Sequence, residues 1–243
     1  MCSRSRYRSL GEVNAIDYSC YVELVGTAHF TKRSIKEAMS KIMVEKPSDV
    51  ALELDLERFR ELNSCSACPK RFTCNRSTCE FTAASDALGN MDANLWLIDM
   101  DRQEIKHRLA QFLTPAEVAN LSLLRGDPRE GERMVELWEL GYKDLAMEVS
   151  ERQWQLIKRY LPSFYRVILL ERDALMAARL VWIVDRKLER SEQPKILAFV
   201  GASHLEGIRY YLSNPQVIAP ALRRFNLPFT PPTLVRRVKV AAR

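Results

Sequence analysis

Two apolar, strand-like runs end in the same four-residue signature, Gly-x-x-His. The first, Tyr21–His29, closes on Gly26-Thr27-Ala28-His29, and the second, Lys195–His204, closes on Gly201-Ala202-Ser203-His204. The 243-residue chain has 3 histidines, so the same placement of two of them argues for a shared role. Imidazole ligates metals and moves protons near neutral pH. A glycine past a buried strand lets the backbone turn tightly. The histidine behind it then falls at the carboxyl end of the strand, where open α/β sheets hold ligands. Two such strands in one sheet would bring His29 and His204 to one site. The alternative is a pair of helix-capping or core histidines.

Carboxylates and arginines recur at the corresponding places. Glu53-Leu54-Asp55 ends a second apolar run, with Arg58 one turn further on. Asp99 and Asp101 follow a third run, and Glu171-Arg172-Asp173 opens a long apolar segment. Beside histidines, such carboxylates can ligate a metal, act as general base or orient an imidazole. At a helix start they also simply complement the macrodipole.

Four of the 6 cysteines form a separate group, Cys65, Cys68, Cys74 and Cys79, spaced C-x2-C-x5-C-x4-C in a polar stretch. Four thiolates on one short loop suit tetrahedral zinc or a [4Fe–4S] cluster, and the spacing does not separate the two. Disulfides are the rival, disfavoured because nothing points to an oxidising compartment. Metal binding there would order the loop, since its free energy becomes folding free energy.

These residues need elements to position them. Tyr21–Val25 reads as a buried strand. Ser34–Glu45 reads as a helix, with Ser34 and Glu37 as its capping box and Pro47 beyond its end. Asp49–Leu54 is a second strand, completing a strand–helix–strand unit of a parallel sheet. Glu80–Leu88 and Glu104–Phe112 read as helices around a short strand, Leu95–Ile98. Residues 114–161 read as a helical insertion, with a capping box at Thr114 and Glu117 and a further start at Ser150 and Gln153. Val167–Leu170 is strand-like or starts the next helix. Asp173–Val184 is a helix apolar on nearly every face, hence buried. Ile196–Val200 is the last core strand, Leu205–Leu212 a helix, and the proline-bearing segment Ser213–Pro232 an extended arm.

An apolar fraction of 47% is ample for a core. The net charge of +6 is concentrated late: after Glu206 no acidic residue follows, while Arg209, Arg223, Arg224, Arg236, Arg237, Lys239 and Arg243 do. Such a tail suits an anionic partner or membrane surface, or is simply solvated. It lacks a nucleic-acid-binding signature. No apolar run spans a bilayer. Arg4, Arg6 and Arg8 precede no apolar core of a secretory signal, so a cytoplasmic location is expected.

The order of these motifs resembles that of the TraB/PrgY (pheromone-shutdown) family, related to GumN and the Tiki proteins. The matching residues are Gly26-Thr27-Ala28-His29 with Ser34, Pro47 through Asp55 with Arg58, and Glu80-Phe81 with Ala83-Ala84. Ile98-Asp99-Met100-Asp101 with Arg108, Glu171-Arg172-Asp173 with Met176-Ala177, and Val200 through His204 with Gly207-Ile208 complete them. The resemblance covers roughly residues 21–212. Residues 1–20 are then an extension and 213–243 a tail. It implies an α/β fold, a mostly parallel sheet flanked by helices as in erythromycin-esterase and ChaN-like proteins. It also implies a metal-dependent, peptidase-like hydrolase. Carried over by position, His29, His204 and Glu53 would hold Mn²⁺, Co²⁺ or Zn²⁺. Glu53 or Glu171 would act as base and Arg58 or Arg172 as oxyanion stabiliser, with Asp55, Asp99, Asp101 and Asp173 in support. The substrate would be a peptide or small amide- or ester-like molecule. No H-E-x-x-H is present, so a standard zincin is excluded. The alternatives are a module that sequesters a peptide or haem-like ligand and, on the cysteines, an iron–sulfur redox or sensing protein. Relatives often carry membrane helices after the domain, where this chain has the basic tail.

Overall fold

The computed structural model describes residues 16–29, 31–64, 79–89, 91–123 and 128–235. Cys65, Cys68 and Cys74, residues 1–15 and the basic residues Arg236, Arg237, Lys239 and Arg243 lie outside them. Five strands, β1 (Val22–Thr27), β2 (Asp49–Leu52), β3 (Asn94–Leu97), β4 (Ile196–Gly201) and β5 (Thr233–Val235), form one sheet in the order β1-β4-β2-β3-β5. The first four are parallel and β5 runs antiparallel to β3. The fold is α/β with a mostly parallel sheet.

Period-two alternation along buried strands sends side chains to two cores. In β4, Ile196, Ala198 and Val200 enter one core, and Leu197 and Phe199 the other. The second core lies under α1 (Lys32–Glu45), α2 (Leu56–Ser64) and α3 (Glu80–Ala87). The first lies under α9 (Arg172–Glu189), α10 (Leu205–Ser213) and α11 (Ile218–Arg224). Helix α9 is buried along most of its length, as its sequence requires. Among the described residues, no helix is long and apolar enough to cross a membrane.

Between β3 and α9 the described residues are mostly helical. The chain runs through α4 (Arg102–Phe112), α5 (Pro115–Leu123), α6 (Pro128–Leu140), α7 (Lys143–Tyr160) and α8 (Pro162–Tyr165), then a π-helical turn over Arg166–Glu171. The Thr114–Glu117 capping box forms, with Glu117 N–H donating to Thr114 Oγ1 at 3.2 Å and Thr114 N–H to Glu117 Oε2 at 3.0 Å. The α6–α7 hairpin sits over the carboxyl ends of β1 and β4, packing Trp138 and Ala146 against Ala202. It is fastened to the start of α1. The Glu139 carboxylate accepts the Lys32 and Arg33 amides at 2.5 and 3.0 Å, and Trp138 Nε1 donates to Ser34 Oγ at 3.0 Å. A carboxylate there complements the unpaired amides of a helix start.

Several expected boundaries move. Helix α1 is capped by Thr31, whose side chain accepts the Ser34 amide, so Ser34 lies inside the first turn rather than at the cap. Helix α7 runs through Ser150 and Gln153 without a break, because unbroken burial of Ala146 and Val149 outweighs the cap signal. Of the two readings of Val167–Leu170, the helical one holds: it leads into α9. Strand β2 stops at Leu52, so Glu53, Leu54 and Asp55 leave the sheet edge together. Leu56–Ser64 forms a helix the sequence reading did not place.

The segment expected as an extended arm instead folds back. It forms a 3-10 turn over Pro215–Val217, then α11, then β5 on the sheet edge. Pro220 falls in the first turn of α11, where its missing N–H costs no helical hydrogen bond. Ile218 and Leu222, one turn apart, are buried. Arg179 of α9 fastens the returning chain. It donates to the Ile98 carbonyl at 3.1 Å and to that of Asp99, and also to Thr230 O and Oγ1 at 2.9 and 2.6 Å. Arg179→Met should therefore lower stability by about 3 kcal/mol, because it leaves buried carbonyls unpaired. Urea denaturation checks this, and a loss below about 0.5 kcal/mol, the level of a neutral surface change, would show that the clamp contributes nothing.

Candidate functional site

Each of the four parallel strands delivers a polar residue to the same sheet edge. His29 follows β1, Glu53 follows β2, Asp99 follows β3, and His204 closes a 3-10 turn, Ala202–His204, after β4. Strands β1 and β4 are neighbours with Gly26 opposite Val200 and Thr27 opposite Gly201, so the two Gly-x-x-His signatures lie side by side. The glycines act by size rather than by turning. Gly201 has φ −54°, open to any residue, and Gly26 is not among the positive-φ residues. A Cβ on Gly201 would stand 3.2 Å from Glu53 Oε2, 3.4 Å from His29 Nε2 and 3.6 Å from His204 Cδ2. One on Gly26 would meet the Leu205 side chain at 2.5 Å.

The imidazoles are held alike. His29 Nδ1 lies 2.5 Å from Glu80 Oε1, and His204 Nδ1 lies 2.5 Å from Asp173 Oδ1. A carboxylate on Nδ1 fixes the ring and turns Nε2 toward the site. His204 Nε2 is 3.3 Å from Glu53 Oε1. Glu53 Oε2 accepts the Gly201 amide at 2.5 Å, and Glu53 Oε1 pairs with Arg172 Nη2. His204, Glu53 and Asp173 are buried, whereas 45% of the His29 side chain is exposed. His29 therefore faces outward into two hollows of about 280 Å³ each. One is bordered by Glu53, Arg58, Cys79, Phe81 and Arg102, the other by the α6–α7 hairpin.

Behind Glu53 the charges alternate. Arg172 Nε and Nη2 donate to Asp99 at 2.9 and 2.7 Å, and Arg58 Nη2 donates to Asp99 Oδ2 at 2.5 Å. Arg58 Nε donates to Asp55 Oδ2 at 2.6 Å, and Asp55 also caps α2 through the Arg58 amide. Burial alone would raise the Glu53 and Asp99 pKa values. Glu53 is nevertheless held well below the carboxylate range by His204, Arg172 and His29, and Asp99 below it by Arg172 and Arg58. For Asp173 burial wins and its pKa rises. Burial opposes protonation of His204, but the Glu53 charge and hydrogen bonds to Asp173 and Glu53 push it up to about 9. For His29, the Glu80 hydrogen bond and charge outweigh burial and raise the pKa.

Of the residues singled out in the sequence, His29, Glu53, His204, Arg172 and Asp173 meet at this edge, with Arg58, Asp99 and Asp55 directly behind. Glu171 points elsewhere. Its oxygens accept Arg108 Nε at 2.5 Å and Arg166 Nε at 2.7 Å, in a buried cluster that also ties Arg108 Nη2 to the Phe225 carbonyl at 2.6 Å. The Glu171 carboxylate thus serves the C-terminal segment, not the histidines. Asp101 caps α4, accepting the Gln103 amide. Glu80, fully buried against His29, is a functional partner that its sequence context does not single out, although it stands in the Glu80-Phe81 pair that carries the resemblance. A buried carboxylate opening a helix reads from sequence as a macrodipole partner. Of the clustered cysteines, Cys79 alone lies within the described residues, buried at the start of α3 and on the wall of the first hollow. Among the described residues, no group of three His, Cys, Asp or Glu side chains already stands in metal-ligand geometry.

No family model matches the chain. An uncharacterised protein of Methanocaldococcus jannaschii is similar to it, with 28% identity over 226 residues. The match covers 80% of this chain and 54% of the relative, so the chain spans about half of that protein's length.

Two outcomes follow from the anchored imidazoles. A Cβ on Gly207 would fall 2.0 Å from Asp173 Oδ2, so Gly207→Ala must expel Asp173 although alanine favours helix α10. The His204 pKa, followed by NMR, should drop from about 9 toward the ordinary value; an unchanged pKa would show that Asp173 is not its anchor. The second concerns stability. His204 faces Glu53, Asp173 and Arg172, and its folded pKa of about 9 exceeds the unfolded value of about 6.5. Its contribution is therefore fully present below pH about 6.5 and is lost as pH rises through about 9. Metal-free wild type should lose stability across that window more steeply than His204→Gln, and equal slopes in urea denaturation would contradict this.

Proposed function

We propose that the chain is a metal-dependent hydrolase of the TraB/PrgY type, acting on a peptide or similar amide or ester at the His29–Glu53–His204 edge. The observation that carries this reading is the convergence of two carboxylate-anchored imidazoles on one buried glutamate beside a hollow. Two features support a divalent cation here. Both rings have Nδ1 occupied by a carboxylate, as metal-bound histidines do, and a missing Cβ at Gly201 leaves room between Glu53 Oε2 and His29 Nε2. Some of the positions that carry the family resemblance, His29, Glu53, Glu80, Arg172, Asp173 and His204, are also those gathered here.

In this reading His29, His204 and Glu53 hold the cation. A bound divalent cation polarises a carbonyl and lowers the pKa of its water toward neutrality. Glu80 and Asp173 keep the rings aimed. Arg172 is a positioning residue, since its donors are committed to Glu53, Asp99 and the Ile168 carbonyl. Oxyanion stabilisation falls to Arg58, which unlike buried Arg172 borders the hollow, although its Nε and Nη2 also hold Asp55 and Asp99. The base role falls to Glu53, because Glu171 is held by Arg108 and Arg166. A non-catalytic reading, sequestration of a peptide or haem-like ligand, is favoured by one observation. Both Glu53 oxygens are already engaged, by Arg172, His204 and the Gly201 amide.

Titration of metal-free protein with Co²⁺, read by visible absorption, decides between them. A variant with Cys65, Cys68, Cys74 and Cys79 replaced by serine removes the second candidate site, proposed for zinc or [4Fe–4S]. That variant should still bind one Co²⁺, at least tenfold weaker after His29→Gln, His204→Gln or Gly201→Ala. Identical binding in all four proteins would remove the metal from the histidines and leave sequestration as the better account.

A further inference from the structure

The hollow beneath the α6–α7 hairpin differs in kind from the one beside Arg58. Met134, Trp138, Ala146 and Met147 form its walls from the hairpin, and Ala28 and Ala202 close it from the strand ends. Its volume is about 280 Å³, enough for one side chain or short acyl group rather than a whole ligand. Its polar members, among them His29 and Ser150, complete the lining, and His29 also borders the charged hollow. A molecule reaching the His29–Glu53–His204 edge thus meets an apolar recess on one side and arginines on the other.

The recess is a built feature of the fold. The hairpin is held to α1 by the Glu139 carboxylate on two backbone amides and by the Trp138–Ser34 hydrogen bond, with Lys143 over the indole ring at 4.9 Å. These contacts set the distance between hairpin and sheet without filling the space. Two thioether side chains in the wall give it a polarizable, adaptable surface.

We propose that this recess is an apolar subsite, which takes an aliphatic or thioether side chain of the substrate. The proposal rests on the hydrolase reading for what happens next to His29, but the recess binds whether or not a cation does. The substrate class is therefore a peptide or acyl amide with an apolar residue flanking the susceptible bond. Its remaining polar portion faces Arg58 and Arg102.

The test uses the full chain, metal-free, with ¹³C-labelled methionine methyls, titrated with N-acetyl-leucinamide, N-acetyl-methioninamide and N-acetyl-aspartamide. The two apolar amides should shift the Met134 and Met147 signals saturably, leaving those of Met39 and Met43 on the outer face of α1 in place. The aspartamide should not. Ser150→Leu, at the edge of the recess, should weaken apolar binding at least tenfold, and Met147→Ala supplies a second variant if that one fails to fold. Equal response to all three amides, or no shift at Met134 and Met147, overturns the subsite. His204→Gln separates the two claims. Apolar shifts that persist in this variant while its cation binding is lost support the subsite on its own, whereas their absence in wild-type protein that still binds the cation overturns the subsite and leaves the hydrolase reading standing.

Discussion

A carboxylate buried at the end of a central strand must be matched by positive charge, and Glu53 is that carboxylate. It is 4% exposed, and the desolvation of an unpaired charge would be prohibitive. Arg172 and His204 neutralise it, and the Gly201 amide satisfies a remaining lone pair. Arg172 in turn needs Asp99, and Asp99 shares itself with Arg58, which Asp55 completes. Removing any one member strands a buried partner, at a cost of about 3–5 kcal/mol for a pair broken on one side. The same requirement fixes His204 as a partner of Glu53 and so fixes the geometry available for chemistry.

The sheet makes this possible with little machinery. Parallel strands place all their carboxyl ends on one side, and β4 threads between β1 and β2 so that its Gly-x-x-His lies beside the first. Glu53 leaves β2 while its amide still bonds the Phe199 carbonyl of β4 at 3.1 Å. Ile98 and Asp99 extend the same pattern, their amides bonding Leu52 and Leu54 carbonyls at 3.0 and 3.2 Å. The charged side chains are thus carried on backbone still tied to the sheet, which holds them more rigidly than a free loop does.

Much of this was legible in the sequence because it rests on local signals. Apolar runs ending in Gly-x-x-His or Glu-x-Asp mark strands and their ends without knowledge of their neighbours. The paired signatures therefore placed His29 and His204 side by side, the Glu-x-Asp run placed Glu53 at the neighbouring strand end, and the βαβ pattern identified the parallel sheet. What escaped depends on contacts distant in sequence. Glu80 is assigned by His29, 51 residues earlier, and Glu171 is claimed by Arg108, 63 residues earlier. The fold-back of the C-terminal segment depends on Arg179 and on a free edge of β3, neither visible in its prolines. The role of the glycines was misjudged for the same reason. Their need for smallness arises from side chains of other strands, not from their own backbone angles.

The central claim is that Glu53, His29 and His204 form one cation site. Crystals grown with Mn²⁺, measured at a wavelength where manganese scatters anomalously, test it most directly. The account predicts an anomalous peak at the carboxyl edge of the sheet, within ligand distance of both Nε2 atoms and a Glu53 oxygen, with Asp173 and Glu80 still on Nδ1. A map with no peak there, and with the Glu53–Arg172–His204 contacts intact at saturating Mn²⁺, would contradict it.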